Sequence, residues 1–136
     1  MMIQKALVPV DGSSHMSGLV AKAIDFAKKT GCTLTFLYVV NMPPTATASE
    51  VEKQKAACIR IPEECMEKAA SQGVSAVFST VEVGPPGDTI INVAEGGKYD
   101  LIIIGSKGHS SLKTLLVGNV ADKVMEHSPC PVLLSK

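Results

Sequence analysis

The sequence predicts an α/β fold: one parallel sheet with helices on both faces. Three observations predict it. Five short aliphatic or β-branched runs alternate along the chain with amphipathic segments of helical period. Strands joined by helical crossovers are parallel, and right-handed crossovers place helices on both faces of a doubly wound sheet. The fourth run, Leu101 to Ile104, is apolar at every position, as a strand covered on both sides must be, and it leads into a glycine-punctuated loop.

The strands are expected at Ile3 to Val10, Thr33 to Val40, Ser75 to Val83, Asp100 to Gly105 and Cys130 to Leu134. Met16, Leu19, Val20, Ala23, Ile24 and Ala27 share one face of the first helix, between Ser13/Ser14 as N-cap and Gly31 as C-terminal cap. A second helix opens on the capping-box pattern Ser49-Glu-Val-Glu52 and ends before Gly73. Pro62 removes a helical hydrogen bond, so a kink or break is expected near Arg60 and Ile61. The loop-forming stretch Asn41-Met-Pro-Pro-Thr-Ala-Thr-Ala precedes this helix and is expected at the surface. Pro85-Pro86-Gly87-Asp88 starts a third helix with Ile90, Ile91, Val93 and Ala94 as its apolar residues, ending at Gly96-Gly97, and Gly118 to His127 makes the fourth. No repeat or linker interrupts the chain, so residues 1–136 are expected to form one domain.

At 136 residues the chain is long enough to bury a core without disulfides or metals. Hydrophobic residues make up 46% but aromatics only 4%, so the core is one of Val, Ile, Leu, Ala and Met. Thirteen basic and thirteen acidic residues balance, and Arg60 is the only arginine. The basic footprint of a nucleic-acid-binding protein is therefore missing. Cys32, Cys58, Cys65 and Cys130 have neither Cys-x-x-Cys nor His-paired spacing and read as structural thiols. No apolar run has the length of a membrane span and the amino terminus lacks a signal-peptide core, so a cytoplasmic location and no membrane partner are expected.

Open parallel sheets bind ligands beyond the carboxyl ends of their strands, where strand order reverses. Asp11 lies at such an end, suited as an ionised acceptor to ribose hydroxyls or an adenine amine, and equally placed to cap the first helix. Gly105 and Gly108 let backbone approach a ligand, and Lys107 is either a mobile cation for phosphate or a solvated lysine. Gly118-Asn119 follows Gly108 after nine residues and opens a helix, whose unpaired N–H groups suit an anion. Asn119 is either a phosphate donor or an ordinary N-cap. His15, His109 and His127 are scattered and read as surface residues.

Four blocks in order, Val8-Pro-Val-Asp-Gly-Ser13, Gly84-x-Pro86-x-x-x-Ile90, Gly105-Ser-Lys-Gly108-x9-Gly118 and Ser128-Pro-Cys-Pro-Val-Leu-Leu134, resemble the universal stress protein family over essentially the whole chain. The resemblance implies a Rossmann-like five-stranded sheet of order 3-2-1-4-5, akin to the adenine nucleotide alpha hydrolases, a homodimer, and the branch that binds ATP, with Mg²⁺ through the phosphates. It places Pro9 and Asp11 along the adenosine and Val39 against adenine. Gly105, Lys107, Gly108, Gly118, Asn119 and Val120 would hold ribose and phosphates. Asn119 and Ala121 depart from the hydroxyl residues of the family motif, which weakens the expected contacts to the γ-phosphate.

The leading expectation is a stress or signalling protein that acts as a nucleotide-dependent dimeric switch, with slow or no hydrolysis because no general base is evident. A dimeric interaction module that does not bind ATP is the alternative. Adenylyl transferases and ATP pyrophosphatases use a His-x-x-His pair or a Ser-Gly-Gly-x-Asp-Ser loop after strand one, and Val10-Asp11-Gly-Ser-Ser-His15 supplies neither. A phosphoacceptor receiver domain needs an aspartate ending strand three, where Val83-Gly84 stands. The carboxyl-terminal strand, with Pro131 unable to donate, is an expected sheet edge whose Val132, Leu133 and Leu134 would pair across a two-fold axis.

Overall fold

Each strand run pairs with its neighbours in one parallel direction, in the order β3-β2-β1-β4-β5. A computed structural model describes residues 3–13, 16–106 and 119–135. Along the chain lie β1 (Lys5–Val10), α1 (Met16–Thr30), β2 (Thr33–Val40), α2 (Ala48–Cys58), α3 (Arg60–Ser71), β3 (Val77–Val83), α4 (Pro86–Gly96), β4 (Leu101–Gly105), α5 (Asn119–His127) and β5 (Val132–Ser135). The expected fold class and strand order are both present.

The pleat sorts the core into two layers. Ala6, Val8, Val10, Leu34, Phe36, Leu101 and Ile103 face α1 and α3, which add Leu19, Val20, Ala23, Ile24, Ala27, Cys65 and Ala69. Leu7, Leu37, Ile102 and Ile104 face α4 and α5, which add Ile90, Ala94, Ala121 and Val124. The central strands are thus covered on both sides, which is why their sequences are apolar throughout rather than alternating. Burying a side chain such as Leu7 contributes about 1.5–3 kcal/mol.

Differences from the expected elements have local causes. A side chain from the start of β4 holds the start of β1: the Asp100 carboxylate accepts the N–H of Gln4 at 2.9 Å and of Lys5 at 3.0 Å. Pairing of β3 starts at Val77 opposite Leu34, two residues after the expected start. Strand β5 starts at Val132, because Pro131 has no N–H and only its carbonyl joins the sheet, accepting from Ile102 N at 3.0 Å.

The second expected helix is two helices. Its capping box is Thr47 with Glu50, not Ser49 with Glu52, which lie inside the first turn. Thr47 holds the extended backbone a cap requires, its hydroxyl accepts Glu50 N at 3.1 Å, and Glu50 Oε1 accepts Thr47 N at 2.8 Å. Pro62 breaks the segment as expected, at Ile59. The missing N–H of Pro62 leaves the Cys58 carbonyl without its helical partner, so the ring sits in the first turn of α3, where no partner is needed.

Gly31, at φ +77, closes α1 in the left-handed conformation, with its N–H on Ala27 O at 2.7 Å. Cys32 and Cys65 are buried as structural thiols, Cys58 and Cys130 are half-buried, and all four are free. Among the described residues no group of histidines, cysteines and carboxylates could hold a metal, and no helix is long and apolar enough to cross a membrane.

Gly84 joins β3 to α4 at φ +150, with its N–H on Val40 O at 2.9 Å, and an added Cβ would lie 2.5 Å from Thr89 Oγ1. Gly84→Ala should therefore destabilise the protein by about 1–3 kcal/mol in urea unfolding. A variant as stable as the parent would show that this turn relaxes freely.

Candidate functional site

The register defines a rim. The β1–β4 ladder is registered at Ala6↔Leu101 and Leu7↔Ile102, in the amino-terminal half of β1. Carried on along both strands, that register sets Gly105 level with Val10, which pairs with Tyr38, which in turn pairs with Val81. Asp11 and Ser106 therefore lie just past the ends of β1 and β4, level with Val39, which is still paired with Glu82 in the β2–β3 ladder. The chain leaves β1 toward the α1 face and leaves β4 toward the α5 face, so a crevice opens between them.

Asp11 and Val39 are half-buried on one side of this reversal, and Gly105 is half-buried across it. Two strand spacings separate Val39 from Gly105, about 10 Å. The Asp11 carboxylate accepts the N–H of Ser13 at 2.9 Å, which pins the turn into α1. That bond belongs to the turn before the helix, whose first described residue is Met16. Val39 packs against the α4–α5 core layer. Pro9 is buried within β1 opposite Leu37, so it supports the rim from below.

On the other bank, Asn119 and Val120 open the described part of α5 and are both exposed, while Ala121 is buried beneath them. Lys107, Gly108 and Gly118 lie outside the described residues, as do Ser14, His15 and His109. The structure thus brings Asp11, Val39 and Gly105 to one rim.

Two features at the same rim escape a sequence reading. Tyr38 is half-buried at the end of β2, and burial first, then the nearby charges of Cys58 and Asp11, push its phenol above the ordinary tyrosine range. The phenol is therefore neutral at physiological pH. Gly12, in the turn after β1, lies against α3, because a Cβ there would meet Ile61 Cδ1 at 3.5 Å. Helix α2 has one half-buried face, Val51, Lys55 and Cys58, and is otherwise exposed.

Away from the rim, an open groove of about 510 Å³ runs between α4 and β3, lined by Thr33, Thr35, Thr80, Glu82, Phe78 and Tyr99 among others. The Tyr99 hydroxyl donates to Thr35 Oγ1 at 3.1 Å, and the Lys5 ammonium lies 4.5 Å from the Tyr99 ring centre while donating to the Gly97 carbonyl. Among the described residues, none of those expected to bind ligand lines it.

Residues 2–136 match the universal stress protein family. The chain is 33% identical over 150 residues to universal stress protein YxiE of Bacillus subtilis, covering 98% of this chain and 99% of that protein. Universal stress protein UspA from Lactobacillus plantarum superposes with a TM-score of 0.87 at 26% identity, over 100% of this chain and 99% of that one. A universal stress protein solved in complex with cAMP shares the fold at TM-score 0.77 and 24% identity, covering 100% of this chain and 99% of that one.

One titrating group, Glu50, sits in the cap of α2. The Thr47 backbone N–H, and secondly its hydroxyl, hold the Glu50 carboxyl below its ordinary value. A carboxyl depressed in the folded state stabilises it above the unfolded value and loses that effect as pH falls through the folded one. Amide protection across residues 48–58, corrected for the intrinsic pH dependence of exchange, should fall as pH drops through the carboxyl range, before the sheet opens. An equal fall in a Glu50→Gln protein would remove the cap as the cause.

Proposed function

Because the chain belongs to the universal stress protein family, we propose that it binds an adenine nucleotide at the rim around Asp11 and acts as a nucleotide-dependent dimeric switch with slow or no hydrolysis. The observation that carries this reading is that Asp11, Val39 and Gly105 lie at one level of the carboxyl rim, on three neighbouring strands that flank the point where strand order reverses. These residues fit an adenosine. Val39 offers an apolar wall for the base, the Asp11 carboxylate an acceptor for hydroxyls or an amine, and Gly105 leaves the backbone open to approach. A relative of the same fold in complex with cAMP supports the same ligand class.

The proposed phosphate contacts come from the other bank. Lys107, Gly108 and Gly118 carry the glycine-loop motif, and Asn119 with Val120 stands exposed where α5 is first described. ATP is the proposed ligand, with Mg²⁺ entering on the phosphates and no protein group dedicated to it. Asn119 in place of a hydroxyl residue favours a second reading, in which the protein is a dimeric interaction module without nucleotide. Denaturing the purified protein and weighing any released nucleotide separates the two.

Calorimetry should show ATP binding by the parent protein and its loss in Gly108→Val, because a branched side chain in the loop occupies phosphate space or forbids the backbone angles. Unchanged affinity in a folded Gly108→Val protein would remove the loop from the site.

The proposed dimer uses β5, which pairs with β4 alone. Of its three apolar residues only Leu133 is exposed, at 44%, while Val132 and Leu134 already pack on the α4–α5 layer. The contact therefore rests on Leu133 and the free backbone edge rather than on all three side chains. Light scattering should find a dimer at micromolar concentration and a monomer for Leu133→Pro. A dimer that survives the substitution would place the interface elsewhere.

A further inference from the structure

The two edges of the sheet are built differently. At one edge β5 is four residues long and follows Pro131, which has no N–H to offer a neighbour. At the other, β3 is seven residues long and pairs with β2 in unbroken register from Val77 to Val83. It carries none of the devices that blunt an edge, having no proline, no lysine and no bulge.

The ladder fixes which backbone groups of β3 point outward. Leu34 N–H donates to Ala76 O at 3.2 Å and Gly84 N–H to Val40 O at 2.9 Å, so the even-numbered residues turn their backbone groups toward β2. Val77, Ser79, Val81 and Val83 therefore turn theirs away from the sheet, and among the described residues no backbone group meets them. Side chains follow the same alternation: Phe78, Thr80 and Glu82 stand on the α4 side, in register with Thr35, Leu37 and Val39.

That side of β3 is unfinished. The α4–α5 layer stops short of it, and Phe78 is 56% exposed on the outer wall of the groove of about 510 Å³. Glu82 is half-buried four residues further on, and its carboxylate accepts the Thr80 hydroxyl at 3.0 Å but meets no cation among the described residues. The edge thus lacks an apolar cover at one point and a positive charge at another, both on one face of the strand.

We propose that β3 accepts an extended peptide of a partner protein as a sixth strand, with an apolar side chain against Phe78 and a lysine or arginine against Glu82. In antiparallel addition the odd-numbered residues exchange N–H···O bonds with the peptide, while the even-numbered ones form the close pairs in which side chains touch most. Charge selects against a second copy of this chain as the occupant. Two β3 strands paired over their full length put Thr80 on the two-fold axis and set each Phe78 against the other copy's Glu82, so both carboxylates stay without a cation. The inference is independent of the nucleotide reading.

The test is an NMR titration of the full chain, beside calorimetry, with the capped peptide Lys-Val-Thr-Val-Leu, whose antiparallel pairing sets lysine on Glu82 and leucine on Phe78. It should bind with a Kd below about 1 mM, and amide exchange at Val77, Ser79, Val81 and Val83 should slow while that of Phe78, Thr80 and Glu82 stays as it was. Glu82→Lys should weaken this peptide about tenfold and favour Glu-Val-Thr-Val-Leu by a similar factor. Ser79→Pro removes an outward N–H that the sheet does not use and should weaken binding about tenfold. No binding at millimolar peptide, or binding that Glu82→Lys leaves unaltered, overturns the proposal. A Ser79→Pro protein with unchanged peptide affinity but a changed mass in light scattering would give the edge to a second copy, and the proposal fails. Should Ser79→Pro not fold, the charge exchange at Glu82 and the alternating amide pattern still decide.

Discussion

The structure hangs on β1. Its backbone is shared between β2 on one side and β4 on the other, its side chains alternate between two separate core layers, and its ends are tied. At the amino end one carboxylate, Asp100, accepts two successive N–H groups; at the carboxyl end Asp11 holds the turn that leads into α1. All three bonds run from a backbone N–H to a side-chain carboxylate, a strong class of contact. Because crossovers are right-handed, chain leaving β1 and chain leaving β4 must go to opposite faces, and the gap between them follows.

The rest of the molecule distributes cover around that strand unevenly. The α1–α3 face is closed over β1, β2 and β4, while the α4–α5 face is closed over β2, β1, β4 and β5 and leaves the outer strand β3 open there, with Phe78 56% exposed. Surface charges knit the layers only loosely. The Lys123–Asp88 pair at 2.7 Å joins α4 to α5, but both side chains are about half-exposed, so such a pair adds at most about 1 kcal/mol. Stability lies in the aliphatic layers, and the rim is free to be shaped for a ligand.

The same division sets α2 apart from the other helices. A helix with no buried residue is held by its cap and by its neighbours β2, β3 and α3 rather than by a core.

The amino-acid sequence by itself determined the parallel five-stranded sheet, the helix faces, the break made by Pro62 and the assembly of Asp11, Val39 and Gly105 at strand ends. All of these follow from local chemistry: periodic burial, turn residues and the missing proline donor. Tertiary structure alone decided which of two overlapping capping boxes closes α2, because Thr47-x-x-Glu50 and Ser49-x-x-Glu52 are locally equivalent and only the path of the preceding loop chooses between them. It also decided that Val132 and Leu134 serve the core while Leu133 does not, since one strand's alternation says nothing of which face is covered. The packing of Gly12 against Ile61 of α3 was likewise invisible in the chain, for it joins the turn after β1 to a helix about fifty residues on, and no local pattern records such a contact.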